Sequence, residues 1–184
     1  MQGCDSLDIG TFFASSLVGA FVAFVLTQAA RWQRLAKESR ALLRGIHLEI
    51  DHAGECAAAY LKDSQDRPWA PAYRVETEFL REGILKLAAN THLTQSEVKR
   101  LYTLYIAAGE ANRSLDVLEE LNNRTTKPPQ TPLGEREESQ VLAWMTFETG
   151  RARVKFGNIS AAIPEARSAA ATALTRLSWF EGSD

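Results

Sequence analysis

Residues 9–30 read IGTFFASSLVGAFVAFVLTQAA, and no charged residue occurs between Asp8 and Arg31. As a helix rising about 1.5 Å per residue, the stretch is about 33 Å long. That matches a hydrocarbon core about 30 Å thick. Phe12, Phe13, Leu17, Val18, Phe21, Val22, Phe24, Val25 and Leu26 supply its bulk. The reading is a transmembrane helix. A secretory signal would carry positive charge before its apolar core and a small-residue cleavage site after it. Here Asp5 and Asp8 come before, while Arg31, Trp32 and Arg34 come after.

The flanking charges set an orientation. Arg31, Arg34, Lys37, Arg40 and Arg44 follow the stretch against one acid, Glu38, and no Lys or Arg precedes it. The positive-inside rule then places the N-terminus outside and everything from Arg31 onward in the cytoplasm. The expected location is the inner membrane, crossed once. The chain divides accordingly into residues 1–30, a short outside segment plus the span, and residues 31–184, a cytoplasmic helical bundle. The five cations are candidate ligands for anionic lipid headgroups, each contributing about 1 kcal/mol near the surface. Cys56 falls in a reducing compartment as a free thiol, across the membrane from Cys4.

Thr11, Ser15, Gly19, Ala23 and Thr27 recur every four residues along the span. Small residues at this spacing let two helix backbones approach closely, so these five form a candidate oligomer interface and a homo-oligomer is expected. In a ring of copies the same mildly polar stripe would line a narrow pore.

The composition narrows the classes. The 184 residues carry 21 Lys+Arg and 23 Asp+Glu, a net charge of -2. A dedicated nucleic-acid binder would be clearly basic, so no nucleic-acid partner is expected. Two cysteines exclude a disulfide scaffold and a Cys-rich zinc site. No proline precedes Pro68, and Trp32, Leu35, Leu42, Ile46, Ile50, Ala53, Ala57 and Leu61 define one apolar face. One long helix is therefore predicted to about Lys62, bent near Gly45 or Gly54. Pro68 and Pro71 mark a turn. A second helix is predicted from Ala72 to Ala89.

Thr94-Gln95-Ser96-Glu97 is a capping-box pattern opening a third helix, which ends near Asn122-Asn123. The loop 124–134 holds Pro128, Pro129 and Pro132 and is the candidate contact for a protein partner. A fourth helix is predicted from Glu135 to Phe156, closed by Gly157-Asn158, and a fifth to Phe180 with Pro164 in its first turn. Tyr102, Tyr105, Trp144 and Phe147 are expected in the core, and Asn112 is expected to hydrogen-bond there. The fold class is all-α: an N-terminal transmembrane helix continuing into an antiparallel bundle.

Catalytic constellations are sparse. Glu49-Ile50-Asp51-His52 is one ligand motif of a di-iron bundle, but its second half is missing. His52 and Cys56 share a helix face without an identifiable third ligand, so neither metal nor cofactor is expected. Arg40 and His47 match an Arg-x6-His spacing. An imidazole there would move protons at a ribose hydroxyl while the guanidinium stabilised the phosphate, giving the alternative of a membrane-tethered ribonuclease.

Leu42-Leu43-Arg44-Gly45-Ile46-His47-Leu48-Glu49-Ile50 after the span, with Leu101-Tyr102-Thr103-Leu104-Tyr105 and Asn112-Arg113-Ser114-Leu115 further on, resemble a group of small prokaryotic membrane proteins. These carry one N-terminal span and a cytoplasmic helical bundle. One type is the membrane accessory protein of RNA-targeting CRISPR nucleases. The resemblance implies pore assembly and antiviral defence, and it carries the Arg–His pair onto Arg40 and His47. The leading expectation is a non-enzymatic, self-associating membrane effector or scaffold, with a simple anchor for a partner protein as a further alternative.

Overall fold

A computed structural model describes residues 9–64, 73–126 and 135–178, with side chains for 18–64, 73–125 and 136–178. Among these residues four helices follow in order: α1 (Ile9–Asp63), α2 (Glu78–Ala89), α3 (Gln95–Thr126) and α4 (Glu135–Ser178). The all-α expectation holds. Internal contacts divide the chain into two units, Met1–Glu38 and Ser39–Asp184.

In the first unit, the α1 side chains from Val18 to Leu26 stand exposed. Among the described residues, no helix is long and apolar enough to cross a membrane. The side chains of residues 9–17, which begin the apolar stretch, lie outside those described.

The second unit is a helical bundle. Arg100 pairs with Glu165 at 3.4 Å, and Lys155 with Glu110, so α3 and α4 run antiparallel. Asp51 pairs with Arg167 at 2.6 Å and Tyr60 stacks on Phe156, so α1 also runs antiparallel to α4. The core is built from Leu43, Ile46, Ile50, Ala53, Ala57 and Tyr60 of α1, Leu101, Leu104, Ala108 and Leu118 of α3, and Ala152, Phe156, Ile159 and Ala166 of α4. Alanines on all three long helices let the axes approach closely. Gly83 of α2 serves the same end, since a Cβ there would lie 2.7 Å from Ile46 Cδ1.

Three boundaries differ from the sequence reading. First, α2 starts at Glu78 rather than Ala72. The Asn112 side chain accepts from Val75 N at 3.0 Å and donates to Val75 O at 2.9 Å. Both backbone groups of Val75 are thereby withdrawn from any helix.

Second, α4 is one helix where two were expected, with Gly157 and Pro164 inside it. Its buried line, Ala152, Phe156, Ile159, Ile163, Ala166 and Ala170, runs unbroken through both residues. Packing along that line outweighs the local cost of Gly and Pro. Third, α3 continues to Thr126.

The capping box forms as read. Thr94 N donates to Glu97 Oε2 at 2.8 Å and Glu97 N to Thr94 Oγ1 at 3.3 Å. The expected core aromatics do not all arrive. Tyr102, Trp144 and Phe147 are 52, 58 and 62 % exposed, while Tyr105 is half-buried. In this part of α4 the inward positions are Met145, Glu148 and Thr149, and Trp144 and Phe147 stand on another side of the helix.

Candidate functional site

Two stretches of α1 carry the residues singled out by sequence. In the first unit, Val18, Phe21, Val22, Phe24, Val25 and Leu26 are 46–67 % exposed. Phe24 and Leu26 sit about 200° apart around the helix, so apolar surface faces opposite sides.

The small-residue stripe lies here. A Cβ on Gly19 would have nothing within 4 Å. Ala23 and Thr27 are exposed, and Thr27 Oγ1 donates to Ala23 O at 2.7 Å. The hydroxyl is thereby satisfied within its own helix. Thr11 and Ser15 fall in the part of α1 whose side chains lie outside those described.

The basic residues follow. Arg31, Arg34 and Lys37 belong to the first unit, where all three are exposed. Arg44 is exposed and Arg40 half-buried in the second. Arg40 and His47 stand seven residues apart, about 10.5 Å along the helix axis. The carboxylate near His47 is Asp51, with Nε2 at 3.9 Å from Oδ2. The other oxygen, Asp51 Oδ1, accepts from Arg167 Nε at 3.2 Å and Nη2 at 2.6 Å. The guanidinium on this carboxylate is thus Arg167 of α4, which sequence spacing did not indicate.

The remaining candidates of α1 have structural duties. Glu49 is 5 % exposed and accepts from Phe79 N at 2.8 Å and Leu80 N at 2.7 Å. It caps the N-terminus of α2 from another helix, satisfying two donors that α2 cannot satisfy itself. A glutamate spent this way is not a metal ligand. His52 Nε2 lies 3.4 Å from Cys56 Sγ. Burial, with Glu55 and Glu76 nearby, pushes the Cys56 thiol above its usual range, which disfavours the reactive thiolate. Among the described residues, no group of three or more His, Cys, Asp or Glu is placed to hold a metal.

A surface groove of about 720 Å³ runs between α3 and α4, lined by Lys99, Arg100, Ile106, Glu110, Asn158 and Glu165 among others. Within it Arg100 pairs with Glu165, and its Glu110 pairs with Lys155. The proposed partner loop, 124–134, lies outside the described residues beyond Thr126.

Comparison with protein-family models, curated proteins and solved structures finds no match.

Proposed function

We propose that the chain is a membrane-anchored helical bundle, inserted through residues 9–30, that self-associates and serves as a non-enzymatic scaffold or effector at an inner membrane. The observation that carries this reading is the set Val18, Phe21, Val22, Phe24, Val25 and Leu26, exposed together around α1. Moving six such side chains, each 46–67 % exposed, from water into hydrocarbon is worth about 5–10 kcal/mol, at about 1.5–3 kcal/mol for a fully exposed one. Residues 9–17 extend the same uncharged run on the N-terminal side. The cations Arg31, Arg34 and Lys37 then fall at the headgroup level, with the N-terminus outside and the bundle in the cytoplasm. Within the bundle, Glu49 and Asn112 hold α2 and the segment before it in place, which suits a rigid scaffold.

The test is fractionation of cells expressing the full chain. Wild type should pellet with membranes, resist alkaline carbonate and require detergent for release. The double substitution Phe21→Arg, Val25→Arg adds about 2.5–3.5 kcal/mol of insertion cost per arginine and should shift the chain out of the membrane. Intact wild type in the soluble fraction without detergent defeats the reading. Crosslinking in membranes addresses the self-association: the oligomer ladder should weaken in Gly19→Leu.

A further inference from the structure

In its first half, α4 presents a second organised face. Glu137, Gln140, Trp144, Phe147, Arg151 and Val154 follow one another in alternating steps of three and four, the spacing that aligns side chains along one seam of a helix. All six are exposed, with Trp144 at 58 %, Phe147 at 62 % and Val154 at 63 %. The core line of the same helix is a different one, through Met145, Ala152 and Phe156. Beside the seam, a Cβ on Gly150 would have nothing within 4 Å, so another helix can approach closely.

We propose that this face binds the same face of a second copy of the chain, antiparallel, about a two-fold axis between Trp144 and Phe147. The charges select that arrangement. The seam is acidic at Glu137, aromatic at its centre and basic at Arg151. Two antiparallel copies bring Trp144 of each against Phe147 of the other, Gln140 against Arg151, and Glu137 beside Arg151 and Val154. A parallel pairing would set Arg151 on Arg151 and Glu137 on Glu137. An apolar centre with charged pairs at its ends is the usual anatomy of a specific interface.

Arg151 already lies 5.9 Å from the centroid of the Phe147 ring and bonds Glu148 at 3.0 Å. Its guanidinium therefore sits at the seam with donors to spare. Four rings at these exposures supply roughly 500 Å² of buried surface, about a third of a standard interface. The dimer is accordingly of the weak, reversible class. The interface stands on α4 alone and does not require residues 9–30 to lie in a bilayer.

The experiment is sedimentation of the full chain in detergent micelles across a concentration series. Wild type should dimerise reversibly. Trp144→Ala should weaken the dimer at least about tenfold, as expected of a central aromatic anchor. Glu137→Arg and Arg151→Glu should each weaken it, and the two together should restore wild-type affinity. Both positions are exposed, and unchanged helical content would verify that the variants fold. A monomer at every concentration, an unaffected Trp144→Ala dimer, or no rescue by the double reversal overturns the proposal. A dimer lost in Gly19→Leu but kept in Trp144→Ala assigns association to residues 9–30 instead. That result also overturns the α4 interface and leaves the anchoring untouched.

Discussion

Thr91 holds φ at 57°, the left-handed region that β-branched residues rarely adopt. The reason lies in the end of α2. His92 N donates to Leu87 O at 2.9 Å and Thr91 N to Ala88 O at 3.1 Å, the paired bonds of a Schellman ending that glycine usually closes. Thr91→Gly removes a left-handed cost of about 1–2 kcal/mol and should raise the unfolding midpoint by a corresponding amount in thermal melts. Glu49 is the opposite case. Glu49→Ala leaves the Phe79 and Leu80 amides without their acceptor, at a cost of about 1–3 kcal/mol. Hydrogen exchange at those two amides should accelerate before global unfolding is affected. Neither role was legible locally. Glu49 lies thirty residues before the helix it caps, and Thr91 has no turn signature of its own.

At the scale of elements, α4 shows how far packing overrules punctuation. Gly157 and Pro164 are ordinary helix-ending signals, yet both lie inside Glu135–Ser178. A Cβ on Gly157 would meet nothing within 4 Å. Gly157→Ala should therefore stabilise the bundle by about 0.5–1 kcal/mol through helix propensity alone. Gly83→Ala on α2 should do the reverse. Its Cβ would press on Ile46 Cδ1 at 2.7 Å and Cγ1 at 3.1 Å, and Ile46 is fully buried. Overpacking of this kind costs about 1–3 kcal/mol. The two glycines look alike in sequence, and thermal melts of the two variants should move in opposite directions.

For the whole molecule, the clearest expectation concerns acid. Burial alone would raise the pKa of Glu97, but the Arg176 guanidinium, helped by Thr94, outweighs it and holds the carboxyl below its usual range. A carboxylate depressed in the folded state stabilises above its unfolded pKa, and that stability is lost as pH falls through the folded value. Burial also lowers His92. Its neutral form is favoured on folding, so its contribution is present above the unfolded pKa near 6.5 and likewise falls away in acid.

Both residues sit where α4 returns to the start of α3, with Arg176 Nη2 at 2.5 Å from Glu97 and 3.1 Å from His92 O. Arg176→Gln should cost about 1–3 kcal/mol at neutral pH. It should also move the onset of acid unfolding to higher pH, because Glu97 then protonates sooner. Melts across a pH series would show no such movement if Arg176 were only a surface residue.

Sequence by itself determined the helical class, the capping box at Thr94, the α1 face around Ile46, Ile50, Ala53 and Ala57, and the long uncharged run at 9–30. Each is a local pattern, written in spacing or in a few adjacent residues. Tertiary structure decided which side of α4 is core, why α2 begins only at Glu78, and that Trp144 and Phe147 stand outside. Those outcomes depend on competition among faces for limited interior volume, and on side chains such as Asn112 and Glu49 that reach backbone groups tens of residues away. Periodicity identifies an apolar face, but only the neighbouring helices determine which of two such faces becomes the core.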